Sequence, residues 1–435
     1  MGTGGTYSYD RGLRQTIDWW LVLAYLALVI IGWISIYASV HSAEPSSIFD
    51  LGSRSGKQFL WMVVVFAVDV VILFVINPKL WEVLTPPAYI AVLVLLVLVI
   101  FLSRDVKGSH SWFELGPVKF QPAEVSKITT SLMLALVMGR QGFRLTTTRG
   151  FIQVALVIGL PMLAILGESE TGSALVYLGY IFVLYREGLS GWWLFALAMC
   201  ILLFILTLTA GWWISALVLV TVCAVCCLLL LRKRWKTSMA FRRRAVRWTI
   251  LGLVAGLMLI FATRFIFENV LQDHQRSRIE VLLGMKEDPS GVGYNVRQSM
   301  IAIGSGGFSG KGFLNGTQTT FGFVPEQSTD FIFCTIGEEH GFLGSFVVIF
   351  LYVFMIYRIM QDADKSREPF TRIYGNCLAA CLFMHLFINI GMTIGLMPVI
   401  GIPLPLLSYG GSSLLAFSVL LFIFLALNRQ ENKYF

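Results

Sequence analysis

Charged side chains that lie within or beside long apolar stretches are the residues of this sequence best suited to chemistry. Charge at membrane depth is costly, so such residues are usually paired or functional. A carboxylate can accept a proton, and a lysine can hold a phosphate. The candidates are Asp69, Glu124, Lys127, Glu168, Glu170, Asp330, Glu338 and Glu339.

Glu124 and Lys127 stand three residues apart at the start of one apolar run. That spacing puts them on one helix face, within reach of each other. As an ion pair they would cancel their charges in lipid; as a site they could hold a phosphate and orient a carboxylate. Both interpretations stay open on sequence alone. Asp69 has no partner nearby in the sequence, and we expect it to pack between helices or to face a water-filled cavity.

Asp288 belongs to a turn sequence, Lys286-Glu287-Asp288-Pro289-Ser290-Gly291. Proline and glycine make a rigid turn, which would fix this carboxylate at the boundary between a loop and the membrane. Aspartate before proline is also a common turn former without chemistry, so the residues themselves leave its role open.

A glycine-rich stretch, residues 304–312, superficially resembles a phosphate-binding loop. It lacks the Lys-Ser/Thr pair at the spacing that nucleotide-binding loops require. A backbone that closely approaches a phosphate or a sugar remains open for this stretch.

The composition indicates a membrane protein. Of 435 residues, 57% are hydrophobic and 13% are charged, where soluble domains carry roughly twice that charge. The mean hydropathy is +0.76. The net charge of +8 lies in short segments between apolar runs, so it predicts topology and not a nucleic-acid partner.

We expect an all-α, polytopic transmembrane helix bundle. A spanning helix needs about 20 apolar residues, and about twelve runs meet that length. The region 191–231 is too long for one helix, and Gly211 and the tryptophans after it predict a break there. The runs are near 19–40, 59–76, 84–102, 122–138, 149–167, 171–186, 191–210, 211–231, 248–267, 330–359, 371–397 and 404–427.

Lysine and arginine in the short loops set the orientation. They place a tail at 1–18, a basic loop at 232–247 and a second tail at 429–435 in the cytoplasm, on either side of a transmembrane domain at 19–428. Two longer connections, 103–121 and 269–328, then fall outside. Most of the charged candidates lie toward the outer ends of the spans, which favours one polar chamber near the outer leaflet.

The seven cysteines predict neither a metal site nor disulfides. Cys223, Cys226 and Cys227 lie within an unbroken apolar run, where cysteine behaves as a small apolar residue. The five histidines show no ligand spacing, so we predict no protein metal site. The sequence shows no cleavable signal peptide, since its first apolar run is long enough to remain as an anchor.

Three blocks of sequence, which cover almost the whole chain from about Asp18, resemble the SEDS (shape, elongation, division and sporulation) proteins. Glycine and glutamine positions in the second block are more similar to the elongation members than to the division members. The blocks are Lys107–Lys127, Gln275–Glu339 and Asn389–Ser413.

The resemblance implies a peptidoglycan glycosyltransferase of the bacterial cytoplasmic membrane. Such proteins polymerise lipid II into glycan strands at the outer face during cell elongation and release undecaprenyl diphosphate. They work with a class B penicillin-binding protein, which is a transpeptidase, and with other elongation-machinery membrane proteins. Family members have ten spans, so we expect 191–247 to be an insertion of two spans and a basic cytoplasmic loop, and 269–329 to be the large extracytoplasmic catalytic loop.

The resemblance also implies functional residues. Asp288 matches the essential aspartate of the family, and Trp112, Glu124 and Lys127 match positions that the family needs. The sequence departs from the family pattern at Ser111, usually arginine, at residues 169–173, usually Pro-Asp-Leu-Gly-Thr, and at Ser328, usually histidine. Carboxylates remain at Glu170 and Asp330, and Arg276, Arg278 or Lys119 could replace the lost arginine.

We expect Asp288 to act as general base on a sugar 4-hydroxyl, which attacks the anomeric carbon of a diphospholipid-linked sugar. The departing diphosphate gains charge, which preorganised cations stabilise. The candidates are Arg276, Arg278, Lys127 and Lys311, and a divalent cation, Mg or Mn, could share the task. One base without a nucleophilic carboxylate predicts inversion.

Two other functions fit the same residues. A flippase for lipid II would also need buried charges, but we would expect them near mid-membrane with a two-sided pathway. A scaffold of the elongation machinery would recruit enzymes and do no chemistry.

Overall fold

A computed structural model of the chain describes residues 17–41, 47–103, 111–115, 118–232, 239–271, 273–286 and 291–434. Helices account for nearly all of the regular structure in these ranges. They are α1 (Trp19–Val40), α2 (Arg54–Phe74), α3 (Lys79–Leu102), α4 (Pro122–Met138), α5 (Thr148–Gly167), α6 (Thr171–Val176), α7 (Tyr180–Arg186), α8 (Trp192–Ala210), α9 (Trp212–Arg232), α10 (Met239–Asn269), α11 (Asp273–Leu282), α12 (Val292–Ser305), α13 (Thr317–Thr320), α14 (Ile332–Lys365), α15 (Pro369–Thr393) and α16 (Gly411–Tyr434).

Nine helices in the described part of the chain are long and apolar enough to cross a membrane, which confirms the prediction of a polytopic helix bundle. These helices carry apolar residues on all sides, some buried and others exposed, so each span can face both the core and the lipid. The nine spans are Trp19–Val40, Arg54–Phe74, Lys79–Leu102, Thr148–Gly167, Trp192–Ala210, Val246–Asn269, Ile332–Lys365, Pro369–Thr393 and Gly411–Glu431.

The remaining three predicted runs are helical but do not meet the length and hydropathy that define these spans. Helix α4 has 17 residues and is almost wholly buried among other helices. The run 171–186 is broken by a 3₁₀ turn at Tyr177–Gly179, where Gly179 lies against Met384. The apolar part of α9 is Trp212–Leu228. The predicted break at residue 211 is confirmed, since Gly211 separates α8 from α9 with φ of +85°.

A short antiparallel hairpin was not expected in an all-α chain. Strand β1 (Phe113–Leu115) pairs with β2 (Val118–Phe120), with Phe113 opposite Phe120. The strands read Phe-Glu-Leu and Val-Lys-Phe, so apolar and polar residues alternate. Three-residue strands are too short to stand out among apolar spans, which explains why the sequence pattern missed them.

The chain divides into two compact units, one formed by residues up to Leu189 together with those from Tyr294, the other by Ser190–Gly293. In the first unit, α15 and α16 are the most buried spans, and α15 packs against α4 and α14. In the second unit, α8, α9 and α10 pack around Leu203, Leu219 and Ile260. The predicted domain limits, including the insertion at 191–247, remain predictions.

Candidate active site

Glu124 and Lys127 form a buried ion pair in the first unit. Proline at the first position of α4 starts the helix, and Glu124 follows in its first turn, where the helix dipole favours negative charge. The Lys127 Nζ lies 2.8 Å from Oε1 of Glu124, and both side chains are nearly inaccessible. The pairing predicted from the spacing is therefore present; binding of a phosphate by Lys127 stays a prediction.

His385 completes this pair, and sequence reasoning missed it. Its Nε2 lies 2.9 Å from Lys127 Nζ, and its Nδ1 lies 3.1 Å from the Pro403 carbonyl. A carbonyl can only accept, so Nδ1 carries the proton and Nε2 accepts from the lysine. The Lys127 ammonium also lies 5.1 Å from the centre of the Phe417 ring. The lysine is thus held by a carboxylate, a neutral imidazole and an aromatic face.

The segment from Ile402 to Tyr409 connects this pair to Asp330. The Asn389 side chain donates to the carbonyls of Asp330, at 2.8 Å, and Ile402, at 2.7 Å. Gly401 has φ of +75°, and a Cβ added there would lie 3.4 Å from Oδ2 of Asp330, so the carboxylate packs against this glycine. Two blocks that stand far apart in sequence therefore meet here.

Further hydrogen bonds tie the same segment to the residues before Asp330. The Ser408 hydroxyl donates to the Thr329 carbonyl at 2.6 Å, and the Tyr409 amide donates to the Ser328 carbonyl at 2.8 Å. This network, from Lys127 through His385 and Asn389 to Asp330, is called the outer assembly below, because the charge pattern predicts that it lies toward the extracytoplasmic side.

Glu170 lies at the start of α6, which packs on the outer assembly. A Cβ on Gly172 would lie 2.7 Å from the Ile402 side chain. The Ser111 hydroxyl donates to Oε1 of Glu170 at 2.7 Å, and Trp112, the next residue, is partly buried. The hairpin therefore begins beside the Glu170 carboxylate.

Glu168 is a buried carboxylate beside Glu170. Ser169, between them, has φ of +63°, a backbone conformation that non-glycine residues adopt rarely and often at functional sites. Glu168 follows the last residue of α5, and neither of its oxygens has a hydrogen-bond partner among the described residues. Burial, and secondarily the charge of Glu170, raise the pKa of Glu168 to about 9.

Arg54 brings a cation to the same end of the first unit, which sequence reasoning also missed. Its guanidinium donates to the Ser328 hydroxyl and lies 5.8 Å from the centre of the Tyr409 ring. The side chain is exposed, and no carboxylate of the described residues forms an ion pair with it. Its position in the first turn of an apolar helix resembled an ordinary interfacial arginine, so the sequence carried no signal.

Lys311 pairs with Glu338, a contact that the sequence did not indicate. The Lys311 Nζ lies 2.7 Å from Oε1 of Glu338, which is fully buried. The carboxylate also accepts from the amides of Gln318 and Thr319, each at 2.9 Å. In this structure the loop after the glycine-rich stretch binds a carboxylate of its own chain. Substrate binding by Lys311 remains a prediction.

Asp69 has a partner from another helix and does not belong to the outer assembly. The Tyr25 hydroxyl donates to Oδ2 of Asp69 at 3.0 Å and lies 2.7 Å from the Ser418 hydroxyl. The three residues join α1, α2 and α16, so the expectation that Asp69 packs between helices is met.

The remaining predicted residues fall in the second unit or outside the described residues. Arg276, on α11, pairs with Glu280 at 2.9 Å and lies 5.1 Å from the centre of the Phe267 ring. Arg278 is partly buried on the same helix. Asp288 lies outside the described residues, as does the side chain of Lys119, so their predicted roles stay predictions.

In chemical terms, Asp330 of the outer assembly and the adjoining Glu170 and Arg54 bring carboxylates and a cation to the same end of a helix bundle. The carboxylates of Glu170 and Asp330 can orient hydroxyl groups, and Arg54 can attract a phosphate. The lack of charge compensation at Arg54 within the described residues favours an anionic ligand.

Comparisons with known proteins identify the family of this chain. A family model described as cell cycle protein FtsW/RodA/SpoVE matches residues 18–233 and 207–433. The peptidoglycan glycosyltransferase MrdB of Escherichia coli is 32% identical over 92% of this chain and 90% of its own length. The peptidoglycan glycosyltransferase RodA of Treponema pallidum is 29% identical over 97% of this chain and 99% of its own.

Solved structures share the fold. A chain from a peptidoglycan synthase complex that coordinates polymerisation and crosslinking aligns with a TM-score of 0.66 at 24% identity, over 95% of this chain and 98% of its own. The rod-shape-determining protein RodA of Thermus thermophilus aligns with a TM-score of 0.60 at 23% identity, over 95% and 97%. Because the family model covers nearly the whole sequence, the chain belongs to the FtsW/RodA/SpoVE family of cell cycle proteins.

Proposed function

We propose that this protein is a peptidoglycan glycosyltransferase that polymerises lipid II into glycan strands. The observation that carries the proposal is the meeting of three distant sequence blocks in one polar site, formed by the outer assembly and the adjoining Ser111–Glu170 contact. Such a convergence of carboxylates and a cation suits a substrate that carries both hydroxyl groups and a diphosphate. Relatives named as peptidoglycan glycosyltransferases, which match over nearly the full chain, support the same function.

The reaction forms a bond from the 4-hydroxyl oxygen of one sugar to the anomeric carbon of another. The bond from that carbon to the diphosphate oxygen breaks, and undecaprenyl diphosphate leaves with the bonding electron pair. The hydroxyl proton passes to Asp288, whose carboxylate acts as general base and contributes roughly 10²–10⁴-fold to the rate. Direct displacement by this route inverts the anomeric carbon.

Cations stabilise the charge that gathers on the leaving diphosphate. Lys127 and Lys311 each already face a buried carboxylate, whereas Arg54 is exposed and hydrogen-bonded to a hydroxyl group. In the first unit, Arg54 is therefore the cation most available to a diphosphate. Arg276 and Arg278 are the corresponding candidates from the second unit.

A divalent cation, Mg or Mn, is part of the proposal. The described residues contain no group of three metal-ligating side chains, but such ions often bind one or two carboxylates together with substrate phosphates. Glu170 and Glu168 would hold it, and Glu168, whose two oxygens lack hydrogen-bond partners in the described part, would have to lose its proton when the ion binds. The ion would supply positive charge at the diphosphate. Chelation followed by titration with each metal tests this.

The protein is a multi-pass membrane protein, and we place it in the bacterial cytoplasmic membrane. Its proposed partners are lipid II, the growing glycan strand, a class B penicillin-binding protein and other membrane proteins of the elongation machinery. The likeness to a chain of a peptidoglycan synthase complex supports assembly with such a partner.

Polymerisation of labelled lipid II by the purified protein, with and without the transpeptidase, tests the proposal. Wild type should make glycan polymer, and Asp288→Asn should not. Asp273→Asn is a matched control, since Asp273 is an exposed carboxylate on α11 and the change in charge is the same.

Three results would contradict the enzymatic proposal. Polymer from Asp288→Asn at the wild-type rate would remove the assigned base. Lipid translocation without polymer would favour the flippase. Absence of both activities in the presence of the transpeptidase would favour the scaffold.

A further inference from the structure

A cavity of about 450 Å³ lies in the first unit at the opposite end from the outer assembly. It is formed where α4 and α7 end and α15 begins, and the charge pattern predicts that these ends lie in the cytoplasm. Its lining combines apolar side chains with arginines: Met138, Phe143, Leu145, Arg140, Arg144 and Arg372 are among them.

The charges of the lining are unbalanced. Glu187 is the only carboxylate among the lining residues, and the Arg372 guanidinium binds both of its oxygens, at 3.1 and 2.8 Å. Arg140 and Arg144 are exposed, and neither forms an ion pair with a carboxylate of the described residues. Two positive charges therefore remain for a ligand.

The turn that carries these two arginines is fixed before any ligand binds. The Phe143 amide donates to the Arg140 carbonyl at 3.1 Å, and the Thr147 hydroxyl donates to the Arg144 carbonyl at 2.8 Å. A Cβ on Gly150 would lie 2.3 Å from that same Arg144 oxygen, so α5 begins in close contact with the turn. A preformed site binds without the cost of ordering a loop.

Exposed apolar side chains lie on α7 and α15, two of the helices that form the cavity, toward the middle of the membrane. Phe182, about one and a half turns before Glu187, packs edge-on against Phe383 of α15 with ring centres 5.9 Å apart. Both rings are exposed in the isolated chain. An acyl chain can lie along this surface while its headgroup occupies the cavity at the helix ends.

We propose that this cavity binds the phosphate headgroup of an anionic phospholipid of the inner leaflet. Basic pockets between transmembrane helices on the cytoplasmic side are suited to such headgroups. Arginine binds phosphate through two parallel hydrogen bonds, and Arg140 and Arg144 can both offer them. The apolar lining and the adjacent phenylalanines favour a lipid over a free phosphate.

Binding is measured by native mass spectrometry on the full-length protein, titrated with phosphatidylglycerol, with zwitterionic phosphatidylcholine, and with soluble glycerol phosphate. The double variant Arg140→Gln/Arg144→Gln should bind phosphatidylglycerol roughly 30-fold more weakly, and phosphatidylcholine unchanged. Arg149→Gln is the matched control; this exposed arginine lies on α5 outside the cavity lining and should bind within twofold of wild type.

A variant that binds the lipid more tightly distinguishes a direct effect on binding from a loss of folded protein. Glu187→Gln releases the Arg372 guanidinium into the cavity, so phosphatidylglycerol should bind several-fold more tightly, which an unfolded protein could not produce. Unchanged or weaker binding in Glu187→Gln overturns the proposal. So does an equal loss in Arg149→Gln, which would leave the arginines as topology signals, or binding of glycerol phosphate as tight as that of the lipid, which would indicate a soluble phosphate ligand.

Discussion

The Ser111 hydroxyl lies 2.7 Å from Oε1 of Glu170 and donates a hydrogen bond to it. The resemblance described above predicts that both residues depart from the family pattern, with serine in place of arginine and glutamate in place of aspartate. The structure shows that they contact each other. The bond runs from a neutral hydroxyl to a carboxylate and joins a residue shortly before β1 to the residue before α6. We infer that Ser111 holds the Glu170 carboxylate in place.

Ser111→Ala should therefore lower the rate of lipid II polymerisation about tenfold or more, since one hydrogen bond to a charged group contributes about 1.5 kcal/mol or more. Glu170→Asp should lose a similar amount because its carboxylate is too short to reach Ser111. A double-mutant cycle checks the coupling: Ser111→Ala should cost almost nothing further in a Glu170→Ala background. Additive losses in the cycle would show that the contact does not matter.

The sequence predicted the spans well because apolar length is a local property. Each of the twelve predicted runs contains a helix, although the run at 404–427 is helical only from Gly411, and the break at Gly211 falls where glycine and paired tryptophans indicated it. The hairpin at 113–120 was missed because three-residue strands leave little periodicity.

Mutation can decide whether Glu124 and Lys127 only neutralise each other's charge or also serve the reaction. Glu124→Gln should destabilise the protein by about 3–5 kcal/mol, because it leaves a buried ammonium without its counter-charge. Replacing both residues, as in Glu124→Leu/Lys127→Met, should restore most of that stability. Thermal unfolding in detergent measures both variants. If the pair also serves the reaction, the restored double variant should make no polymer; full activity would show that the pair only neutralises charge.

His385 should act as a positioning residue for Lys127. His385→Leu removes the acceptor for the ammonium and leaves the Pro403 carbonyl without its donor, so both stability and polymerisation should fall. His385→Gln can still accept from Lys127 and donate to Pro403, and it should rescue most of the activity. Polymerisation rates and melting temperatures of both variants test this. Equal losses in the leucine and glutamine variants would indicate that ring packing against Phe417, at 4.8 Å between centres, is what matters.

The contacts that sequence could not predict join residues far apart in the chain. His385 lies 258 residues from Lys127, and Asp69 lies 44 residues from Tyr25. Spacing rules connect residues within one helix, and they cannot tell which helices pack together. A lone histidine in an apolar helix gave no signal until the packing of α4 against α15 was known.

Glu168 should make the stability of the protein depend on pH. Burial raises its pKa to about 9, whereas an unfolded glutamate titrates near about 4.3. Between these values the folded state keeps the proton that the unfolded chain has lost, so the free energy of unfolding falls as pH rises. The contribution is complete below pH of about 4 and is lost by about pH 9.

Glu168→Gln removes this titration. The difference in the free energy of unfolding between the variant and wild type should therefore increase in favour of the variant from pH 5 to pH 9 and stay constant above pH 9. Melting temperatures across pH measure it, with Glu82→Gln, an exposed glutamate on α3, as the control. An unchanged pH dependence in Glu168→Gln would show that its carboxylate is ionised or solvated in the folded protein.

Glu338 should hold the loop between α12 and α14 in place. Its carboxylate accepts from Lys311, Gln318 and Thr319, and glutamine in its place would aim an NH₂ group at a donor. Glu338→Gln should therefore loosen the loop, seen as faster limited proteolysis within residues 306–320 and faster amide exchange at Gln318 and Thr319. Lys311→Met leaves the hydrogen bonds from the Gln318 and Thr319 amides to Glu338 in place, so it should loosen the loop less than Glu338→Gln does.

The Lys311→Met variant also separates the two roles that Lys311 could have. If Lys311 binds the diphosphate, the variant should lose most of its polymerisation with little change in proteolysis. A lysine that only neutralises Glu338 predicts that activity falls in proportion to the loosening, in both variants alike.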